Sequence, residues 1–319
     1  MTKMNVEVSI ILPTYNRAHL IKRAVNSVLN QSYKDFEMII VDDNSTDNTI
    51  EIINSINDER INVIRHDTNK GPSAARNNGI RISRGEFIAF LDSDDEWLAK
   101  NLEKQVSVFK NADSIVGMVY VGMLNINGEQ KKYIPPPHVT RREGNLYSDL
   151  LTDPTIVYPS TTTIRKRCLL EVGMFDEHFR AGEDWDLWIR LAKHYHFKYI
   201  DELLVINYAV SDSITHKENY RLSQSYKMIL EKHYEEIAED KKTLASYYIV
   251  MGHALSSENE LKKGRQYFIR AAKVNPLNIL SIPLVVASCL GPRGYTAIIA
   301  IFNMIRGFRY PDKRYQVEG

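Results

Sequence analysis

The sequence has only two cysteines and no long apolar run. Cys168 and Cys289 are too few for a disulfide framework, and no cysteine–histidine cluster has the spacing of a zinc site. No stretch reaches the ~18 continuous apolar residues that a membrane-spanning helix requires. The N-terminus lacks the pattern of a signal peptide, because an apolar run follows at once and Pro13 interrupts it. We therefore predict a protein of the reducing cytoplasm.

Three widespread catalytic motifs are also missing. No glycine-rich turn follows the first apolar run, no phosphate loop with Gly-Lys-Ser/Thr occurs, and no Gly-x-Ser-x-Gly elbow is present. Their absence argues against a dinucleotide-binding oxidoreductase, an ATPase and an α/β-hydrolase, respectively. What remains is carboxylate chemistry, centred on Asp43, on the run Asp92–Asp95 and on Asp184 with its acidic neighbours.

The 319 residues carry a formal net charge of +1, which argues against a dedicated nucleic-acid-binding protein. Hydrophobic residues make up 44% and charged residues 25%, the proportions of an ordinary globular protein. The charge is unevenly distributed, however. Residues 261–319 contain ten lysines and arginines against two acids, so this tail carries +8 and the first 260 residues carry −7. The tail is therefore expected to form a separate electrostatic surface.

Apolar runs alternate with helical patterns in the first third of the chain. The first helix is expected to begin near Asn16. This alternation predicts an α/β fold with a doubly wound, mainly parallel sheet. Right-handed crossovers place the carboxyl ends of such strands on one edge, where ligands bind, so the residues that follow the strands should line one crevice. The predicted strands are Val8–Leu12, Phe36–Val41, Ile61–Ile64 and Phe87–Leu91.

An acidic run follows the last of these strands. Asp92, Asp94 and Asp95 lie within four positions, and three carboxylates this close repel one another unless a positive group compensates them. Mg²⁺ or Mn²⁺ is a suitable compensator, because these ions bind one or two carboxylates together with substrate phosphates. The alternative is an N-cap for a helix that starts near Trp97, although a cap needs only one acid. We therefore predict a divalent metal site at this acidic run.

Asp184 belongs to a second acidic group, at the start of an amphipathic helix that contains Leu187 and Trp188. A carboxylate that no metal engages can act as general base toward an acceptor hydroxyl. The same position also suits a helix cap, with Glu183 and Asp186 stabilising the helix dipole. Spacing alone does not separate the two roles.

The middle of the chain is less regular. Ile115–Leu124 is predicted to be a strand, followed by a hairpin-type turn at Asn127-Gly128. Lys131–Arg142 contains three consecutive prolines and is interpreted as a long mobile loop. Further strands are expected at Ser160–Ile164, Tyr199–Ile200 and Leu204–Tyr208.

From about residue 213 the pattern becomes wholly helical. Tyr247–Pro276 has the small residues and the spacing of one tetratricopeptide-type helix pair. Ile279–Leu290 and Tyr295–Ile305 are apolar, flanked by basic residues, and each too short to span a bilayer. Residues 279–314 could therefore contact an anionic membrane surface, or the two apolar segments could form a capping helix pair. Apolar periodicity does not distinguish these alternatives.

Four motifs occur in order along the chain: Val8–Arg17, Val41–Asp47, Gly85–Asp95 and Gly182–Trp188. Together they resemble the motifs of the family-2 glycosyltransferases of the GT-A fold. The resemblance implies a nucleotide-sugar donor, a divalent metal ion and transfer with inversion at the anomeric carbon. It also implies a GT-A domain over residues 1–212, followed by the helical region 213–319. Within that domain, residues 1–110 would bind the nucleotide sugar and residues 111–212 the acceptor.

The resemblance implies roles for individual residues. Asp43 would accept a hydrogen bond from a uracil-type N–H, and Arg76 would face the donor. Asp92 and Asp94 match the family's DxD motif, and Asp184 matches its catalytic base. The implied metal ligands are Asp94 and Asp95. The implied donor-binding residues are Pro13, Thr14, Tyr15, Asp43, Arg76, Asp92 and Asp94.

We thus predict an enzyme that moves one sugar, with a UDP-sugar as the expected donor, to a hydroxyl of a glycan or lipid-linked acceptor. Its place would be cell-surface polysaccharide or glycoconjugate synthesis, in the cytoplasm or at the cytoplasmic face of the membrane. The Gln-x-x-Arg-Trp motif and membrane helices of the family's processive synthases are absent, so a single transfer is expected. Acceptor choice should depend on Asn125–Tyr158 and the tail.

Two other classes remain as alternatives. A nucleotidyltransferase would also use an α/β sheet and an aspartate-bound metal, but it would need a glycine-rich phosphate loop after the first strand. A non-catalytic glycan-binding or scaffold protein would be expected to lack the base or a metal ligand, whereas all the acids are present here.

Overall fold

The computed structural model describes residues 6–136, 139–179, 181–209, 222–277 and 281–297. Within them the chain forms two compact units. The first comprises the described residues of Met1–His178 and Glu183–Ser211, and the second comprises those of Phe179–Gly182 and Asp212–Gly319. The first unit is a mixed α/β sheet, and the second is helical.

The first half of the sheet alternates strands and helices, as the sequence predicts. Alternate residues of its second strand enter different cores: Met38 and Ile40 pack on one face, while Ile39 and Val41 pack against Ala75 on the other. Helices therefore cover both faces, which is why the strands read as continuous apolar runs. The elements are β1 (Val8–Thr14), α1 (Ile21–Leu29), β2 (Phe36–Asp42), α2 (Thr49–Asn54), β3 (Ile61–Arg65), α3 (Pro72–Ile82) and β4 (Phe87–Phe90).

The predicted start of the first helix near Asn16 is wrong, because α1 begins at Ile21. Asn16 has a left-handed φ of 52°, which a right-handed helix does not accommodate. Its backbone N–H donates to Ser45 Oγ at 2.9 Å, and its side-chain Oδ1 accepts from the Thr46 N–H at 2.8 Å. The residue thus ties the loop after β1 to the loop after β2.

The second half of the first unit contains five more strands. Short 3₁₀ turns at Pro154–Ile156 and Pro159–Thr161 precede the fourth of them. The elements are β5 (Asp95–Trp97), α4 (Asn101–Lys110), β6 (Val116–Asn127), β7 (Gln130–Ile134), α5 (Tyr147–Leu150), β8 (Thr162–Arg165), α6 (Lys166–Glu171), α7 (Glu183–His194) and β9 (His196–Tyr208).

The described strands form one sheet in the order β3-β2-β1-β4-β8-β6-β9-β5, with β7 beside β6. Pairing is parallel from β3 to β4 and between β6 and β9, and it is antiparallel at β8, β5 and β7. The predicted fold class is confirmed, with parallel pairing concentrated in the first half. That half supplies the edge on which the strand ends meet.

The interpretation of Lys131–Arg142 as a loop is wrong in its first part, where β7 pairs with β6. Exposed Lys131 and Lys132 dominate this short strand, whereas Tyr133 and Ile134 are buried. Lysines on an edge strand discourage further pairing, and they also mask its strand pattern. The predicted turn after Asn127 is confirmed, since that residue pairs directly with Gln130. Residues 137 and 138 lie outside the described residues.

Two further differences concern strands. The predicted strands at Tyr199–Ile200 and Leu204–Tyr208 are one strand, β9, because exposed Asp201 and Glu202 interrupt its apolar pattern at an irregularity in its pairing with β6. Strand β5 was not predicted at all. Three residues are too few to show an alternating pattern, and only the pairing with β9 defines this strand.

The second unit confirms the predicted helical C-terminal region. Its core includes Ala245, Phe268 and Leu284. A Cβ added at Gly252 would lie 2.4 Å from the Phe268 ring, so small residues allow α10 and α11 to approach closely. Residues 291–297 are also helical. The helices are α8 (Leu222–Lys232), α9 (Tyr234–Glu239), α10 (Lys241–Ser257), α11 (Leu261–Val274) and α12 (Ser281–Cys289).

No helix in the described parts of the chain combines the length and the apolar character needed to cross a membrane. The apolar segment Ile279–Leu290 corresponds largely to α12. The second predicted apolar segment, Tyr295–Ile305, lies mostly outside the described residues, and so does the basic stretch 306–314.

Candidate active site

The carboxyl ends of β1 and β2 lie side by side, with Thr14 opposite Asp42. The backbone N–H of Asp43 donates to the Thr14 carbonyl at 2.8 Å and extends this pairing. The sheet therefore brings Pro13, Thr14 and Tyr15 next to Asp43, as the sequence predicted. Thr14 Oγ1 is buried and has no hydrogen-bond partner among the described residues. A buried hydroxyl in that state is a candidate contact for a bound molecule.

Asp43 is held by donors from the loop that precedes α3. Its Oδ1 accepts from the Lys70 N–H at 2.8 Å and lies 2.7 Å from His66 Nδ1, while its Oδ2 accepts from the Gly71 N–H at 2.7 Å. His66 Nε2 in turn lies 2.8 Å from Asn78 Nδ2, so the imidazole ring links Asp43 to α3. A carboxylate has about four lone-pair sites, which leaves room for a nucleobase N–H. Sequence reasoning missed His66 and Asn78, because nothing in their local pattern marks them.

The acidic run forms a tight turn between β4 and β5. The Asp95 N–H donates to the Asp92 carbonyl at 3.0 Å, and the Asp92 N–H donates to Ser160 Oγ at 3.0 Å. Asp92 and Asp94 are partly exposed, whereas Asp95 is buried. The three predicted carboxylates therefore come together at the end of β4, but in different environments.

Burial is strongest at Asp95, which is only 3% exposed. Asn207 Nδ2 donates to its Oδ1 at 2.6 Å. Desolvation and then the charges of Asp94 and Asp92 raise the pKa of the Asp95 carboxyl well above its ordinary value. A buried carboxyl that is already hydrogen-bonded within the protein is less accessible to a cation than a partly exposed neighbour. Of the two predicted metal ligands, this environment favours Asp94.

Arg76, on α3, joins the acidic turn to α7. Its Nη2 donates to Asp92 Oδ1 at 2.7 Å, and its Nη1 donates to Glu183 Oε1 at 3.0 Å. Burial by itself would lower the pKa of Arg76, but the charges of Asp92 and Glu183 raise it overall. The guanidinium also lies over the Phe175 ring, 5.3 Å from its centroid. Both terminal nitrogens are used within the protein, so the contact of Arg76 with the donor stays a prediction.

Asp184 lies in the first turn of α7, next to Glu183. Its Oδ1 accepts from the N–H of Trp185 at 2.8 Å. Desolvation and then the charge of Glu183 raise the pKa of Asp184 to about 7, while the positive charge of Arg76 opposes the rise. A carboxylate that titrates near neutral pH is suited to general base catalysis.

The buried face of α7 fixes the place of Asp184. Trp185 and Trp188 are buried, and Trp185 Nε1 donates to the Leu150 carbonyl at 2.5 Å. Asp186 is buried and pairs with Arg190 at 2.8 Å, which accounts for it within the helix. The acids of the first turn therefore have different partners. Asp186 pairs with an arginine of its own helix, whereas Glu183 pairs with Arg76 on α3.

No group of three or more histidine, cysteine, aspartate or glutamate side chains in the described part of the chain is arranged to hold a metal ion. The donor set instead fits an ion shared with a ligand. Mg²⁺ and Mn²⁺ are commonly bound by one or two carboxylates, with phosphate oxygens and water completing the coordination. Asp94, partly exposed at the end of the parallel half of the sheet, can supply such a carboxylate.

Comparison with known sequences identifies relatives for this chain. A model of the family described as Glycosyl transferase family 2 matches residues 9–178. The Escherichia coli protein named UDP-Glc:alpha-D-GlcNAc-diphosphoundecaprenol beta-1,3-glucosyltransferase WfgD is 36% identical over 219 residues, which are 68% of this chain and 78% of that protein. A Rickettsia felis glycosyltransferase is 36% identical over 189 residues, 59% of this chain. The chain spans only 30% of the length of that Rickettsia protein.

Solved structures share the fold. The crystal structure of S. aureus TarS in complex with UDP-GlcNAc has a TM-score of 0.70 at 21% identity, covering 94% of this chain and 92% of that chain. The Pyrobaculum calidifontis mannosyltransferase PcManGT, in complex with GDP-Man and Mn²⁺, has a TM-score of 0.56 at 20% identity, covering 94% of this chain and 80% of that chain. At these identities the likeness establishes a common fold.

Proposed function

The chain belongs to glycosyl transferase family 2, and from this we propose that it transfers one sugar from a nucleotide-sugar donor to an acceptor hydroxyl with inversion. The observation that carries the proposal is the pair of acidic sites joined by Arg76, the turn Asp92–Asp95 and the start of α7 with Asp184. The first site is suited to bind a cation together with a diphosphate, and the second is suited to act as a general base. An inverting transfer uses both, because the acceptor attacks opposite the departing diphosphate.

The proposed donor is a UDP-sugar. The E. coli relative is named for UDP-Glc, and the TarS structure contains UDP-GlcNAc. Asp43 would accept a hydrogen bond from the nucleobase, and the buried Thr14 hydroxyl would find its missing partner on the nucleoside. The full set proposed to bind the donor is Pro13, Thr14, Tyr15, Asp43, Arg76, Asp92 and Asp94.

We propose that Asp94 holds a divalent ion, Mn²⁺ or Mg²⁺, together with the donor diphosphate. When bound, such an ion offsets the negative charge that develops on the leaving group. The Mn²⁺ bound in the Pyrobaculum structure supports a divalent ion as the cofactor. Asp95, the other predicted ligand, would remain buried and hydrogen-bonded to Asn207.

Asp184 would take the proton of the acceptor hydroxyl. Desolvation and the charge of Glu183 raise the pKa of this carboxylate to about 7 and Arg76 limits the rise, so near neutral pH the group can accept a proton. The acceptor oxygen then forms its bond to the anomeric carbon as the bond to the diphosphate breaks, which inverts that centre.

The proposed acceptor is a glycan or lipid-linked glycan of a cell-surface polysaccharide or glycoconjugate. The name of the E. coli relative includes a diphosphoundecaprenol acceptor, which supports a lipid-linked substrate. Three apolar side chains are exposed at intervals of four residues along α12 and at the residue after it: Ile282, Val286 and Leu290, at 60%, 55% and 62%. The tail that contains them carries +8. We therefore include peripheral contact with the cytoplasmic face of the membrane, through residues 279–314, in the proposal.

Liposome flotation tests the membrane contact. The double variant Ile282→Glu with Val286→Glu should float less with anionic vesicles than the unchanged protein, because two charges replace exposed apolar side chains. Pure phosphatidylcholine vesicles are the control for the basic tail. Equal flotation of both proteins would contradict the membrane role and leave the transfer proposal untouched.

A panel of nucleotide sugars tests the transfer itself. With Mn²⁺ present, at least one UDP-sugar should raise the melting temperature and release UDP, whereas UTP with a sugar phosphate should release no pyrophosphate. The matched control is Asp184→Asn, which should keep the thermal stabilisation and lose UDP release. Pyrophosphate release would favour a nucleotidyltransferase, and stabilisation without turnover in the unchanged protein would favour a binding protein.

A further inference from the structure

The acidic turn Asp92–Asp95 continues into β5, which pairs in antiparallel register with the end of β9. Asp95 lies opposite Asn207, and Trp97 lies opposite Val205. The end of β9 therefore lies beside the last residues of the turn. Side chains at this strand end contact turn residues that are more than 100 positions away in the sequence.

Two side chains from separate elements bind consecutive residues of the turn. Arg23 Nη2, from α1, donates to the backbone carbonyl of Asp94 at 2.6 Å. Asn207 Nδ2, from β9, donates to the Oδ1 of Asp95 at 2.6 Å. One contact fixes the backbone at Asp94, and the other fixes the side chain that follows it.

Arg23 is itself held by the end of β9. Its guanidinium carbon lies 4.0 Å from the centroid of the Tyr208 ring, a cation–π contact. The Tyr208 hydroxyl donates to Glu96 Oε2 at 3.1 Å. Since Arg23 stacks on the residue next to Asn207, the two donors form one connected support for the turn.

Asp94 lies in the turn, directly before β5. Its side chain is partly exposed, whereas Asp95 and Trp97 in the strand are buried. The bond from Arg23 fixes the peptide group that joins Asp94 to Asp95, and the bond from Asn207 fixes the Asp95 side chain inside the protein. Together they hold in place the backbone that carries the Asp94 carboxylate.

We propose that Arg23 and Asn207 are positioning residues that aim the Asp94 carboxylate toward a divalent cation bound with the donor. The inference rests on the proposed function, because it assumes that Asp94 binds this ion. Residues that orient metal ligands without touching the metal commonly affect its affinity by about 10–100-fold. Arg23 and Asn207 would act in this way, through a backbone carbonyl and through the neighbouring carboxyl.

The test is the affinity of the full chain for Mn²⁺ in the presence of UDP, measured by electron paramagnetic resonance of the free ion. Arg23→Met keeps the length of the side chain and removes the donors, and Asn207→Ala removes the amide. Each should weaken Mn²⁺ binding by about tenfold or more. Arg23→Lys restores one donor to the Asp94 carbonyl and should recover most of the affinity, which a merely space-filling role would not predict.

Controls separate positioning from general damage. Arg60→Lys alters another arginine stacked on an aromatic ring, 4.5 Å from Phe36, and should leave Mn²⁺ affinity unchanged. Metal-free UDP binding and tryptophan fluorescence verify that each variant is folded. If Asn207→Ala does not fold, the contrast between Arg23→Met and Arg23→Lys decides the matter.

The outcomes also distinguish this inference from the proposed function. Unchanged Mn²⁺ affinity in folded Arg23→Met, together with loss of binding in Asp94→Ala, would overturn the positioning role and leave the metal site standing. Unchanged affinity in Asp94→Ala would overturn the metal site itself, and the positioning role with it.

Discussion

The acidic turn Asp92–Asp95 and the first turn of α7 are built from the same residue types, but the protein treats their charges differently. In the acidic turn, Arg76 pairs with Asp92, and Asn207 binds the buried Asp95. At α7, Glu183 and Asp184 stand side by side against the same single arginine, and the pKa of Asp184 rises to about 7.

The difference shows how two carboxylate clusters can serve opposite chemical purposes. In the acidic turn, desolvation and the charges of Asp94 and Asp92 raise the pKa of the buried Asp95, so the partly exposed Asp94 is the carboxylate that suits cation binding. At α7, desolvation and the charge of Glu183 raise the pKa of Asp184, and a raised pKa suits a base. Arg76 contacts both clusters, so its removal should disturb both.

The largest expected effect comes from Asp184→Asn, which removes the proton acceptor and leaves the acidic turn untouched. The transfer rate should fall by about 10²–10⁴-fold, the usual contribution of a general base, while UDP and Mn²⁺ affinities stay unchanged. Turnover assays and calorimetry measure the two. The control Asp201→Asn, at an exposed carboxylate, should leave turnover unchanged. Joint loss of binding and turnover would mean that Asp184 is structural.

The next prediction concerns the unequal roles of Asp94 and Asp95. Asp94→Asn should weaken Mn²⁺ binding in the presence of UDP by more than about 100-fold, since a direct ligand matters more than its supports. Asp95→Asn should leave it unchanged, because this side chain is buried and the amide keeps an oxygen that accepts the hydrogen bond from Asn207. Paramagnetic resonance of free Mn²⁺ measures both. If Asp95→Asn weakened Mn²⁺ binding more than Asp94→Asn, Asp95 would be the direct ligand.

Replacing Arg76, which pairs with both clusters, should lower the stability of the protein. Arg76→Met leaves Asp92 and Glu183 without their cation, which we expect to cost about 2 kcal/mol, less than the ~3–5 kcal/mol of fully buried pairs because both carboxylates keep some exposure. Urea unfolding followed by tryptophan fluorescence measures it. Arg81→Met, on the same helix but with an exposed ion pair at 3.5 Å, should cost less than about 0.5 kcal/mol. If Arg76→Met and Arg81→Met lowered the free energy of unfolding equally, Arg76 would not be a stabilising link between Asp92 and Glu183.

The smallest effect is a shift in pH dependence. Transfer requires ionised Asp184, so its rate should rise with pH through about 7. Glu183→Gln keeps an acceptor for Arg76 and removes the negative charge that raises the pKa of Asp184. The acid limb of the profile of kcat/KM should therefore move to lower pH. An unmoved limb would show that Glu183 does not act on the base through its charge.

The parallel half of the sheet was predictable from the sequence, because each strand is buried on both faces and reads as a continuous apolar run. The meeting of Thr14, Asp43 and Asp92 followed from the handedness of the connections alone. Other features resisted prediction. Strand β7 is hidden by its exposed lysines, β5 is too short for a pattern, and Asn16 adopts a left-handed conformation that no periodicity indicates.

The positions of the acids at the ends of adjacent strands follow from the order of residues alone, because alternation of elements and the handedness of crossovers are general rules. The chemical role open to each acid depends instead on long-range packing. Asp95 is buried by a strand end 112 positions away, and Arg76 reaches Glu183 across 107 positions. Desolvation and ion pairing depend on what packs around a group, and that packing has no signature in the residues beside it.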